Sequence, residues 1–383
     1  MKKRILFRLI LVVLVLFILE AIGYAGMILS NAGRDFLSNN NYFSIRDMLA
    51  GTKNSNKLPR YLTLPYLGYV PYPEYKKYGE IQHNEDGYRG RKIPLQKSNK
   101  LRVLCLGGST TYGTGVDYPR ETFSAQLERL LVAAIKADTL LSRKFDGAEV
   151  LNAGLEAGNS AEELQQYLFK YRYYKPDVVI VHSGINDAFL VHSSNKDFQL
   201  DYTHSRRINF HLEPLHQPAR WMMKSYLFSF FTIKLFYQDF AKNIIEFEPQ
   251  FQNTFCRWTT KNIDSVIAQK QLDYYPFYNN TKSLYAAILN DSAMLITLPP
   301  ALNLKSPFVR ERPKYLSTTL LNAEISKNLS QYFSSTFVPF AYDSIPNPDD
   351  WVDDCHLNAN GEKDKAEILL PFVLNIKKSV VNN

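Results

Sequence analysis

The sequence predicts an α/β protein, a three-layer α/β/α domain carried behind an N-terminal apolar helix. From Leu101 onward, short apolar runs alternate with stretches of helical periodicity, the pattern of strands and crossover helices. The runs are apolar at nearly every position, as expected when helices cover both faces of a parallel sheet. Gly-rich turns follow three of these runs, where open α/β sheets place their ligand sites.

With 383 residues, the chain can hold one large α/β domain plus appendages. Lys2, Lys3, Arg4 and Arg8 precede the apolar run Leu9 to Leu19, and Ala21 to Leu29 continues it past Glu20. The stretch Ile5 to Leu29 is long enough to cross about 30 Å of hydrocarbon as a helix. Its flanking charges predict a cytoplasmic N-terminus and an exported body, on the periplasmic or extracellular side. Glu20 is the awkward residue, since a carboxylate at mid-helix costs roughly 2.5–3.5 kcal/mol on insertion scales. A cleaved signal peptide ending its apolar core at Leu19 is the competing reading. The apolar continuation beyond Glu20 favours an uncleaved anchor over residues 1–30.

Residues 31–98 are rich in Tyr, Pro, Asn and Lys, and Leu64 to Pro73 is expected as extended chain because each Pro biases its predecessor away from helix. This segment is assigned to a membrane-proximal arm, and residues 99–383 to the main domain. Expected strands are Leu101 to Leu106, Glu149 to Ala153, Pro176 to His182, Ala293 to Leu298 and Phe337 to Tyr342. Expected helices include Glu121 to Lys136, Glu162 to Lys170 and Gly361 to Lys377. The long stretch between the third and fourth strands ends in crossover helices over Asn262 to Leu289. Residues 190–260 are left as an insertion, either a cap or membrane-facing lobe or added packing at the sheet edge.

The net charge is +8, yet Lys and Arg are scattered and no nucleic-acid motif is present, so no nucleic-acid partner is expected. A basic body beside an anionic membrane or polyanionic glycan suits the charge equally well. Three cysteines are too few for a disulfide framework. Cys105 is expected as a buried small hydrophobe, and Cys256 and Cys355 are the candidates for one pairing. No spacing resembles a metal site.

Four short stretches carry reactive groups. Leu106 to Gly113 puts Ser109 on a Gly-flanked strand-to-helix turn; the spacing fits neither a P-loop nor G-x-G-x-x-G. Asn152 to Ser160 follows the second strand, and Gly158 there allows close backbone approach. Ser183 to Asp187 ends the third strand with Asn186, a side-chain donor suited to a developing oxyanion. Asp353-Asp-Cys-His356 places a carboxylate three residues before an imidazole, which a general base needs to fix its tautomer. Taken singly, each is matched by a plain turn or helix cap; together and in this order they are not.

In this ordered set the chain resembles the SGNH/GDSL hydrolases, over roughly residues 100–188 and 290–375. It also resembles their bacterial membrane-anchored branch, in which the anchor is followed by N-x-x-G-[YF]-R-G, here Asn84 to Gly90. The resemblance implies a flavodoxin-like fold with a mostly parallel five-stranded sheet. It implies Ser109 as nucleophile, His356 as base and Asp353 as its orienting carboxylate. The Ser109 N–H, the Gly158 N–H and the Asn186 side chain would hold the oxyanion. The family's usual Asp before Ser is Gly108 here. Gly158 stands one residue further from Asn152 than usual, which leaves Ala157 and Gly154 as alternatives.

The implied reaction is acyl transfer through a Ser109 ester, with no metal or organic cofactor. The expected substrate is an O-acyl, foremost acetyl, ester of a cell-envelope glycan, with the membrane met through residues 5–29. A lipid esterase whose aromatic stretch Phe228 to Phe236 dips into the bilayer is one alternative. A silent envelope scaffold is another.

Overall fold

The computed structural model describes residues 2–29, 60–64, 66–77, 80–192, 202, 225–231, 263–268 and 271–376. These fall into two compact units, residues 1–63 with 206–257, and residues 64–205 with 258–383. The first contains helix α1 (Lys2–Leu29) and a short helix over 226–231. α1 is long and apolar enough to cross a membrane.

The second unit is built on a five-stranded sheet: β1 (Leu101–Gly107), β2 (Ala148–Gly154), β3 (Val178–His182), β4 (Met294–Leu298) and β5 (Thr336–Phe337). Their order is β2-β1-β3-β4-β5, and every pairing is parallel. β5 covers two residues rather than the six expected. Phe337 pairs with Thr297, then the chain leaves the ladder.

The helices that cover the sheet or begin at its carboxyl edge include α2 (Ser109–Tyr112), α3 (Phe123–Ala137), α4 (Ser160–Phe169), α5 (Ile185–His192), α6 (Pro276–Asn290), α7 (Pro313–Tyr332) and α8 (Ala359–Leu374). The crossover into β4 is broken in two, Ile263–Ala268 and α6. α5 runs to His192. Residues 31–59, most of the insertion and Cys256 lie outside the described residues.

Alternation along the strands sets the layers. Val103, Cys105, Val178, Ile180 and Ile296 face one side with α3 and α8; Leu104, Leu106, Val179, Val181 and Leu295 face the other with α4, α6 and α7. α3 shows why such helices form: Thr122 caps its first turn, and Phe123, Leu127, Leu131 and Ile135 make a buried stripe at four-residue spacing. Each such aliphatic or aromatic side chain contributes about 1.5–3 kcal/mol of burial.

At the amino end of β1, Arg102 is fully buried. Its Nε donates to Glu149 at 2.5 Å, and its two terminal nitrogens donate to the carbonyls of Leu95, Tyr174, Pro94 and Gln96. One guanidinium thus ties Pro94 to Gln96 to β1, β2 and the approach to β3. Replacing Arg102 by Met leaves Glu149 buried and unpaired, and should lower stability by about 3–5 kcal/mol. Arg102→Met combined with Glu149→Met should recover much of that loss. Chemical unfolding of the full chain in detergent checks both; a single variant as stable as wild type would disprove the account.

Candidate active site

The carboxyl ends of β1, β2 and β3 open on one edge of the sheet, and the groups singled out in the sequence converge there. Ser109 begins α2 directly after β1. As the first helical residue, its N–H has no intrahelical acceptor and points outward. Its Oγ lies 2.8 Å from His356 Nε2, and His356 Nδ1 lies 2.7 Å from Asp353 Oδ2. The carboxylate fixes the tautomer: Nδ1 donates to Asp353, leaving Nε2 to accept from the Ser109 hydroxyl.

His356 and Asp353 arrive on a tight turn. The Val352 N–H donates to the His356 carbonyl, and Asp353 Oδ1 accepts from the N–H groups of Cys355 and His356 at 2.9 and 2.8 Å. Asn358 then caps α8, accepting from the Asn360 and Gly361 N–H groups. α8 packs on α3 in the core, which sets the height of the turn above the sheet.

Burial works against the Asp353 carboxylate, but the His356 ring and the two backbone donors outweigh it and hold its pKa at about 2. Burial also opposes the imidazolium, yet hydrogen bonding and attraction to Asp353, with help from Asp354 and Glu156, raise His356 above its ordinary 6.5. Asp353, Cys355 and His356 bring one potential metal-ligand atom each within 4.8 Å of one another. The donor set suits a metal poorly: both imidazole nitrogens are engaged, and burial pushes the Cys355 thiol well above its usual range. Cys355 and Cys105 are buried free thiols.

Asn186, near the start of α5, donates from Nδ2 to the Gly158 carbonyl at 2.7 Å. The same nitrogen explains the glycine before Ser109, since a Cβ on Gly108 would lie 2.6 Å from it. Gly158 itself does not present its N–H to the site. That N–H donates to Leu155 at 2.8 Å, closing a turn with Ala157 at φ +57°. The backbone reason is the positive φ of Ala157, which folds residues 155–158 back on themselves. The Gly154 N–H donates to Asn152 Oδ1 at 3.0 Å. Of the three groups named for the oxyanion, the Asn186 amide lies against Gly108 and the Gly158 N–H is turned to Leu155.

Three residues that motif reading left without a role organise the site. Arg89, buried in the Asn84 to Gly90 stretch, donates to the carbonyls of Tyr112, Gly113 and Val116 at 3.0, 2.6 and 2.9 Å. Lys365, buried on α8, donates to the Thr110 carbonyl at 2.9 Å and to His182 Nδ1 at 3.0 Å. Asp187 accepts from Ser160 Oγ at 2.5 Å and Tyr202 Oη at 2.7 Å, joining the starts of α4 and α5. The available signal for Lys365 was a charge at helical spacing among Gly361, Ala366, Leu369 and Val373.

Removing the Asp353 charge leaves burial as the dominant influence on His356. Asp353→Asn should therefore move the imidazole pKa from above 6.5 to below it. Histidine-selective 15N spectra of the full chain in detergent, titrated from pH 4 to 9, read the shift; an upward or absent shift contradicts the electrostatics described.

No curated protein matches the chain. Among solved structures it is similar to a lipase/acylhydrolase from Enterococcus faecalis, at 14% identity and TM-score 0.39 over 73% of this chain and 96% of that one. It is also similar to a catalytic mutant of an acetylxylan esterase from Geobacillus stearothermophilus, at 14% identity and TM-score 0.40 over 71% and 93%. At that identity and TM-score neither neighbour bears on activity. A family model does: that of the GDSL-like lipase/acylhydrolase family matches residues 105–363. That span runs through Ser109 to His356, and on it the chain belongs to the GDSL-like lipase/acylhydrolase family and is a serine hydrolase.

Proposed function

We propose that the chain is an esterase or O-acyltransferase in which Ser109 is the nucleophile, His356 the general base and Asp353 the residue that orients it. The observation that carries this is the unbroken chain from Ser109 Oγ to His356 Nε2 at 2.8 Å and from His356 Nδ1 to Asp353 Oδ2 at 2.7 Å. Ser109 Oγ attacks the ester carbonyl as its proton passes to Nε2, and the carbonyl oxygen becomes an anion. The imidazolium, stabilised by Asp353, returns the proton to the departing alcohol and leaves Ser109 acylated. A water or a sugar hydroxyl, activated by the same imidazole, then takes the acyl group.

The oxyanion is assigned to the Ser109 N–H and the second amide hydrogen of Asn186. The Gly158 N–H can serve as a third donor only by leaving the Leu155 carbonyl. The substrate we favour is an acetyl ester of a cell-envelope glycan. α1 supports this reading by tethering the enzyme to a membrane, and Lys2, Lys3, Arg4 and Arg8 support a cytoplasmic N-terminus with the catalytic unit exported.

Fluorophosphonate labelling of the full chain tests the site without knowledge of the substrate. Wild type should label, and Ser109→Ala and His356→Ala should not. Turnover of p-nitrophenyl acetate should fall on the order of 10^6-fold in either variant, and a tenth of wild-type activity in either would sink the assignment. Asn186→Ala should lower kcat by about 10^2–10^3-fold with the fold retained; an unchanged kcat removes Asn186 from the oxyanion site. Release of acetate from acetylated envelope glycan, or its transfer to an added glycan, separates hydrolase from transferase.

A further inference from the structure

The side chains of α1 change character along its length. From Ile5 to Leu19 the apolar residues are exposed all round, as a helix in lipid would require. Beyond them, Glu20, Gly23, Gly26 and Met27 form one face at three- and four-residue spacing, and that face is covered. The Glu20 carboxylate accepts from Ser225 Oγ and, at 2.6 Å, from the Tyr226 N–H, so it caps the helix 226–231. A Cβ on Gly23 would stand 2.4 Å from Leu227 Cα, and one on Gly26 would stand 2.6 Å from the Phe230 ring. Tyr24 meets Tyr226 edge-on with ring centroids 4.9 Å apart, and Met27 and Ser229 are fully buried.

The depth of this contact follows from helix geometry. About 20 residues at about 1.5 Å each cross the hydrocarbon. With Lys2 to Arg8 at one surface, the opposite hydrocarbon boundary falls near Tyr24. Glu20 then lies about one turn inside it, and the segment it caps lies at the same level. Residues 225–231 carry no charge and five of the seven are aromatic or leucine. Phe231, the last of them, is half exposed. A helix end held in hydrocarbon must have its N–H groups satisfied within the protein, and Glu20 does this. The Tyr24–Tyr226 pair sits where amphipathic rings gather at a membrane boundary.

We propose that residues 225–231 are a second membrane-embedded element, seated in the leaflet remote from Lys2 to Arg8, docked on α1 through Glu20, Gly23 and Gly26, and covered on its outer side by lipid. The proposal rests on α1 spanning the bilayer. It makes part of the insertion a lipid-contacting element and gives the carboxylate inside α1 a partner. An α1 paired in this way is a permanent part of the fold.

The test uses the full chain in phosphatidylethanolamine/phosphatidylglycerol vesicles, in a Cys256→Ser background, with Phe231→Cys carrying an environment-sensitive NBD label. The label should show blue-shifted emission, quenching by doxyl lipids and resistance to aqueous iodide. Gly23→Leu places a side chain against the Leu227 backbone; it should red-shift the label and raise iodide quenching several-fold, while the chain stays in the carbonate-washed membrane. A water-like, iodide-quenched label on carbonate-resistant wild type overturns the proposal. A label that stays lipid-buried in Gly23→Leu overturns the docking on α1. Carbonate extraction of wild type defeats the spanning helix itself, and p-nitrophenyl acetate turnover then shows whether the esterase reading survives independently.

Discussion

Because all the strands of the central sheet run parallel, every strand-to-helix turn opens on the same edge. β1 lies between β2 and β3, so the turn bearing Ser109 is flanked by Leu155 to Gly158 on one side and Ser183 to Asn186 on the other. Three chain segments far apart in sequence are therefore brought together by the sheet, and side chains fasten them there, Asn186 to the Gly158 carbonyl and Asp187 to Ser160. His356 and Asp353 are delivered from elsewhere. They come on a short turn whose position is set by the packing of α8 on α3.

The same arrangement leaves a weak point. α2 is a single turn of four residues, too short to be stable by its own hydrogen bonds. Its carbonyls need partners, and two buried cations supply them. Arg89 reaches Tyr112 and Gly113 from the Asn84 to Gly90 stretch, and Lys365 reaches Thr110 from α8. Burial lowers the Lys365 pKa to about 8, with Glu362 opposing the shift. His182 is held neutral by burial and by the neighbouring ammonium, so its Nδ1 can accept from Lys365. The helix that carries Ser109 is thus held from two directions by charges whose donors are matched to backbone oxygens.

Much of this was legible in the sequence. Continuous apolar runs identified the four long strands, because parallel strands buried on both faces have no polar side. The fifth was overextended, since Val338 makes the last hydrogen bond to β4 while Phe340, beyond it, is buried and looks like a strand residue in sequence. Ser109, Asn186, Asp353 and His356 were visible because their spacing to glycines and to one another is local. The Gly158 N–H was misjudged for a nonlocal reason. Its direction depends on the φ of Ala157 and on Asn186 taking its carbonyl, and neither shows in a motif. Arg89 and Lys365 were missed as partners because a buried cation is recognised by the carbonyls around it, and a sequence does not display those.

The connection between β3 and β4 runs from His182 to Met294. In polymer terms this is an inexpensive place for extra chain. The entropy of closing a loop grows only logarithmically, about 0.6 kcal/mol for each doubling of length. The parallel register on either side is already fixed by β1 and by the helices that cover the sheet. A family member can therefore lengthen this connection greatly without weakening its sheet, and so acquire a new surface while the edge bearing Ser109 keeps its shape.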